Sequence, residues 1–201
     1  MAANPMTTTP PPVGGPDAGA TFVAGTEPYP WPYDGALAPG HLALVLAGWD
    51  DSWSTRAHDP AAARAACLEL ALAVEAYGGL VLSVAHGPAS DPSSGPALPV
   101  EAIAVVAAGV DAFHGSPLDA LLRRAGRTHL LVAGFGLEGP VHSTLRSAND
   151  RGYECLLVTD ASAPLVPELA APAAHTVTMS GGIFGAVGSA AAVLAALDPP
   201  R

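Results

Sequence analysis

The stretch LLVAGFGLEGPVHSTLRSANDRG, Leu130 to Gly152, sets an apolar strand-like run, three glycines and a helix-like run in succession. Gly134, Gly136 and Gly139 spell G-x-G-x-x-G, and Asp160 closes the apolar run that follows. Strand, glycine turn, helix and a later acidic residue make up the dinucleotide-binding fingerprint, in which backbone amides cradle a pyrophosphate and the carboxylate holds a ribose. Two features oppose that reading. The motif lies two-thirds along the chain, and the two strand-like runs after it are too few for a second nucleotide-binding half. Pro140, directly after the third glycine, removes one of the amide hydrogens such a loop would aim at an anion. No nucleotide or other cofactor is expected.

Outward from this stretch, short apolar runs recur between helix-like segments: LALVLAG from Leu42, LVLSVA from Leu80, AIAVVAA from Ala102, THLLVAG from Thr128, YECLLVT from Tyr153 and IFGAV from Ile183. Fully apolar strands separated by helices are the pattern of a parallel sheet covered on both faces. The helices at Pro60 to Tyr77, Pro117 to Ala125 and Pro140 to Arg151 each begin with proline and are followed by glycine, at Gly78, Gly126 and Gly152. Proline forfeits an amide hydrogen that has no partner at a helix start, and glycine takes the left-handed cap. The expected fold is α/β, a three-layer α/β/α domain with a mostly parallel sheet of about six strands. The connection from His86 to Pro99, HGPASDPSSGPALP, reads as a polar loop with little to recognise a substrate.

With 201 residues, 50% of them hydrophobic and 13% charged, the chain suits one folded domain. Residues 1–28 are rich in Pro, Gly, Thr and Ala and read as a disordered tail ahead of a domain spanning 29–201. The next segment, YPWPYDG from Tyr29 to Gly35, is expected to lie extended across the domain or a neighbouring subunit. A net charge of -10, with eight basic residues scattered along the chain, argues against nucleic acid and anionic membranes as partners. Cys67 and Cys155 sit inside apolar runs and read as buried, reduced thiols of a cytoplasmic protein. The seven histidines show no i,i+3 or i,i+4 pairing, so no metal site is expected.

Four segments carry a resemblance: YPWPYDGAL, DAFHGSPLDALLRRAGRTHLLVAG, VHSTLRSANDRGYECLLVTD and VTMSGGIFGAVGSAAAVLAAL. Together they resemble the isochorismatase-like cysteine hydrolases, and among them the biuret hydrolase branch, over nearly all of Tyr29 to Leu197. The resemblance implies a Cys-Asp-Lys triad that attacks amide carbonyls through a thioester. In that chemistry a thiolate at a helix N-terminus attacks, the Asp handles the proton, the Lys holds charge and backbone amides stabilise the oxyanion.

This chain departs from the family at every one of those positions. The nucleophile loop reads roughly G-x-x-T-x-x-C-V-x-x-T in the family; here Gly134, Val141 and Thr144 are in register, but Leu137 replaces the first Thr and Pro140 the Cys. The Asp position at the end of the first strand is Gly48, with Trp53 matching a later aromatic. The Lys position falls at Ala107 or Ala108, and the 201 residues contain no lysine. The candidate substitutes are Ser143, His114 and Asp50. Asp50 and its neighbour Asp51 read first as loop carboxylates in solvent. His142 and Ser143 cannot readily pair with each other, since adjacent helical positions point about 100° apart.

The leading expectation is therefore a catalytically inactive subunit with a structural or assembly role, forming a homo-oligomer or a hetero-oligomer with an active homologue. An amide or ureide C–N hydrolase with a non-standard site and a small-ligand sensor are the alternatives. The fingerprint itself is testable: millimolar NAD or NADP is expected to leave the melting temperature unchanged, whereas a saturable rise would restore the nucleotide reading.

Overall fold

A computed structural model describes residues 21–87 and 90–197. Six strands form one parallel sheet: β1 Leu42–Ala47, β2 Leu80–His86, β3 Ile103–Ala107, β4 His129–Phe135, β5 Glu154–Ala163 and β6 Ala186–Gly188. Their order across the sheet is β3-β2-β1-β4-β5-β6, and every neighbouring pair is parallel. The chain thus leaves β1 in both directions, and a crevice at the carboxyl ends of β1 and β4 is where sheets of this order bind ligands. β1 and β4 are buried along their whole length, because helices cover both faces of the sheet.

The helices are α1 Asp51–Ser54, α2 Pro60–Tyr77, α3 Leu118–Arg124, α4 His142–Asp150, α5 Ala170–Gly182 and α6 Ala190–Leu197. In α2, Ala63, Cys67, Leu70, Ala71 and Val74 form one buried stripe at helical spacing. That stripe joins Leu44, Leu46, Trp49, Phe135 and α6 in the apolar cluster on one sheet face. The other face carries α3, α4 and the start of the nucleophile-like loop, with Leu118, Leu122, Leu137, Val141 and Leu145 against Val45, Leu130 and Val132. Gly78, Gly126 and Gly152 hold left-handed φ angles of 90°, 68° and 84° at the helix ends, as their places after the helical runs predict.

Several boundaries differ from expectation. The last strand is only Ala186–Gly188, because Ile183 to Gly185 still belong to the turn that closes α5. Pro117 precedes α3 as its cap, and Pro140 lies in a wide turn ahead of α4. That turn, Leu137–Val141, is of π type. Proline has no amide to donate, and the Val141 amide reaches back five residues to the Gly136 carbonyl at 3.3 Å.

The tail expected over residues 1–28 is too long. Residues 21–28 belong to the folded unit: Thr21 bridges Ala36, Val23 bridges Trp31, and Glu27 bridges Val187 at the edge of β6. Val23 is fully buried, and the Thr26 hydroxyl accepts from the Trp31 amide at 2.9 Å while Thr26 and Tyr29 are joined at 2.7 Å. Composition misses this because one buried valine and a set of backbone hydrogen bonds suffice to order eight residues. Residues 1–20 lie outside the described ones. A chain beginning at Tyr29 is expected to be less stable than one beginning at Thr21 by at least about 2 kcal/mol, from the loss of Val23 burial and the Glu27 bridge. Urea denaturation of the two chains checks this.

Candidate functional site

The carboxyl ends of β1 and β4 approach so closely that glycine is obligatory there. A Cβ on Gly134 would lie 2.0 Å from the Ala47 carbonyl oxygen, and one on Gly48 would lie 2.3 Å from that of Phe135. Gly48 also holds φ at 66°, a left-handed value unfavourable for any residue with a side chain. The position matching the family's Asp therefore has no room for a carboxylate in this backbone.

Trp53, on α1, lies against the glycine loop: a Cβ on Gly136 would stand 3.0 Å from its ring, and one on Gly139 3.5 Å. Pro140 is buried beside it, its Cδ also crowding Gly136. Arg56 lies over the outer side of the indole, 5.1 Å from a ring centroid. An indole and a pyrrolidine ring thus pack on the glycine loop beside the β1/β4 switch point. Glu138 ties the loop down further, accepting the Leu165 and Val166 amides at 3.0 and 2.7 Å.

The expected solvent placement of Asp50 is overturned. Its side chain is 1% exposed and accepts hydrogen bonds from the Ser52 amide at 2.9 Å, the Ser52 hydroxyl, and the His86 amide at 2.9 Å. It caps α1 and clamps that turn to the end of β2, and the three donors offset the cost of burying the charge. Asp51, in contrast, is exposed as expected.

His86, expected at the start of a polar loop, is the last residue of β2 and only 5% exposed. Its Nδ1 lies 3.0 Å from the Gly109 carbonyl, which can only accept, so Nδ1 carries the proton. Nε2 is then a bare acceptor, buried without a partner, and the ring meets Trp53 edge-on at 6.4 Å. Burial pushes the imidazole below its ordinary value, opposed by the Gly109 carbonyl and by Asp50 and Asp111. This is the polar group near the crevice that sequence missed; its one signal was a histidine directly following an apolar run.

The three candidate substitutes are not brought together. Ser143 sits on α4, His114 is exposed beside Gly109, and Asp50 spends its carboxylate on Ser52 and His86. No hydrogen bond joins any two of them among the described residues. Ala107 is fully buried at the end of β3 with its carbonyl accepting from Gly87. The two cavities at this end of the sheet, about 210 and 230 Å³, have neither Gly48, Ala107 nor Pro140 in their walls. Among the described residues no group of three His, Cys, Asp or Glu is placed to hold a metal ion, and no helix is long and apolar enough to cross a membrane. Cys67 and Cys155 are fully buried, and burial pushes both thiols far above their ordinary value, so neither supplies a thiolate.

Asp160, the fingerprint's acidic residue, accepts the Ala190 amide at 2.7 Å and caps α6. It faces no phosphate loop. The glycines serve close packing of β1, β4 and Trp53.

A six-stranded parallel sheet in this order, with a glycine turn and helix after β4 opposite the end of β1, defines a doubly wound α/β/α scaffold. Residues 56–191 match the model of the isochorismatase domain, and the chain belongs to the isochorismatase family. Solved structures agree. An isochorismatase family protein from Burkholderia thailandensis is 25% identical, with 79% of this chain and 96% of that one covered at a TM-score of 0.66. A cysteine hydrolase from Pseudomonas syringae is 17% identical over 80% and 94% of the two chains, with a TM-score of 0.70. A nicotinamidase from Staphylococcus aureus is 17% identical over 75% and 99%, with a TM-score of 0.63.

The buried histidines give a pH dependence with a definite sign. His86 and His129, 5% and 3% exposed, are both held below the ordinary histidine value, chiefly by burial. The unfolded chain therefore binds more protons as pH falls through about 6.5. Stability is complete above that pH and declines below it, by up to about 1.4 kcal/mol per pH unit for each histidine, until the folded-state values are passed. Denaturation curves between pH 7.5 and 5 check this, and His129→Phe is expected to flatten the slope.

Proposed function

We propose that this chain is a catalytically inactive member of the isochorismatase family, derived from the biuret hydrolase branch its segments resemble, and that it acts in assembly. The observation that carries this reading is Pro140. At the nucleophile position it offers neither thiol nor amide hydrogen, and it is buried in a turn packed against Trp53. Gly48 leaves no space for the Asp, and the chain has no lysine. All three chemical roles are vacated together while the scaffold around them is intact.

The assembly role rests on the surface. Val166, Leu169, Met179 and Ile183, along the segment that leads into and out of α5, are each 41–47% exposed. Such apolar side chains on a chain with 13% charged residues favour association with a second copy or with an active homologue. The Tyr29 to Gly35 segment packs on its own subunit: Gly182 lies against Tyr29 and Pro28, and Trp31 is fully buried.

Ammonia release from biuret, nicotinamide or ureidoacrylate is expected to stay at background, and turnover on the order of 1 per second would overturn the inactive reading. Pro140→Cys alone is expected to yield no turnover, and adding Gly48→Asp and Ala107→Lys is expected to destabilise the fold by about 2 kcal/mol or more. Mass photometry of the protein, alone and co-expressed with an intact homologue, is expected to show an oligomer; a monomer in both samples would overturn the assembly role.

A further inference from the structure

Helices α3, α4 and α5 lie side by side on one face of the sheet, and α4 holds the middle because it joins β4 to β5. Its buried side is Thr144, Leu145 and Ala148, which leaves Arg146 and Asp150 exposed one turn apart on the outer side. Within one subunit these charges do not meet: no ion pair joins Arg146 or Asp150 to an opposite charge among the described residues. A cation four positions ahead of an acid is also the less favourable order along a helix. The Arg146 guanidinium lies instead over the Phe184 ring, 4.4 Å from its centroid, just past the end of α5. His142 Nε2 and the Thr176 hydroxyl, 2.8 Å apart, hold α4 and α5 together as one surface. Next to Phe184 in the chain, Ile183 is 47% exposed, and Met179, whose carbonyl accepts the Ile183 amide, is 41% exposed.

This surface is complementary to itself. A two-fold axis lying across the helices turns α4 antiparallel to α4 of a second copy, so that what stands early on one helix meets what stands late on the other. Arg146 then faces Asp150 of the second copy, and Asp150 faces the second copy's Arg146, one pair on each side of the axis. The same axis sets the end of α5 against its counterpart, where Met179 and Ile183 meet apolar side chains of their own kind. Arginine, methionine and aromatic rings are enriched at interface centres, and a guanidinium already held on a ring loses less freedom on binding. Charge favours this face. The chain carries -10, so two copies repel, yet Arg123, Arg124, Arg146 and Arg151, half of its eight basic residues, lie on or directly after α3 and α4. On the opposite face α2 exposes Glu69 and Glu75 against one arginine, Arg64.

We propose that the outer face of α4 and the end of α5 form a two-fold interface between two copies of this chain, closed by reciprocal Arg146–Asp150 ion pairs across the axis. The inference rests on the assembly role and narrows it to one partner, a second copy, and to one face. It uses none of the triad positions.

Arg146→Glu and Asp150→Arg decide it, because across a two-fold axis each substitution sets like charges against each other twice. Sedimentation velocity of the full chain at micromolar concentration is expected to show a dimer or a larger even-numbered assembly. Either variant alone is expected to raise the dissociation constant on the order of 100-fold or more. Mixed in equal amounts, the two variants are expected to associate again: the new carboxylate of one faces the new guanidinium of the other, and the Asp150 and Arg146 they retain face one another. Ile183→Glu is expected to weaken association as well, by burying a charge against an apolar surface. All three positions are exposed, and retained circular dichroism shows that each variant folds. An assembly indifferent to both charge reversals, a mixture of the two variants that stays dissociated, or undiminished association of folded Ile183→Glu would overturn the interface and leave the assembly role standing. A chain that is monomeric alone but associates with an intact homologue would do the same, whereas a monomer in both cases would overturn the assembly role as well.

Discussion

Everything at the functional end of this molecule follows from how closely β1 and β4 approach one another. The Ala47 and Phe135 carbonyl oxygens stand where side chains at Gly134 and Gly48 would begin. With no Cβ at either place, the strands close over the switch point that sheets of this order use for ligands. The glycines after β4 then bend back far enough for Trp53 to lie on them.

The same constraint bears on the proposed loss of the triad. A carboxylate at Gly48 needs a different backbone, and without it a thiol at Pro140 would lack its base. Under that proposal Pro140 removes the thiol and one oxyanion donor in a single substitution, and proline suits the turn ahead of a helix. The polar groups around the site do structural work. Asp50 caps α1 and holds the His86 amide, Glu138 holds the loop after β5, and Asp160 caps α6. Each satisfies backbone donors that would otherwise be costly to bury.

The two sheet faces have diverged in consequence. On the face with α3 and α4, packing continues up to the nucleophile-like loop. On the other, α2 and α6 cover β1, β4 and β5, while the region over β2 and β3 is roofed by an irregular segment that Trp49 anchors. A roof of prolines and small residues leaves a space of about 210 Å³ beneath it.

The sequence by itself determined the class of fold: continuous apolar runs specify buried parallel strands, and proline and glycine mark where α2, α3 and α4 begin or end. It also determined that the chain has no lysine, since no folding can supply an absent side chain. Only the tertiary structure decided that Asp50 is buried, that His86 carries its proton on Nδ1, that residues 21–28 belong to the fold, that Asp160 caps a helix 30 residues away, and that Trp53 packs on the glycine loop. The division has one physical cause. Periodicity and caps record interactions between residues a few positions apart, whereas His86 meets Asp50 across 36 residues and Trp49 meets Pro96 across 47, through strand order and the close approach of backbones.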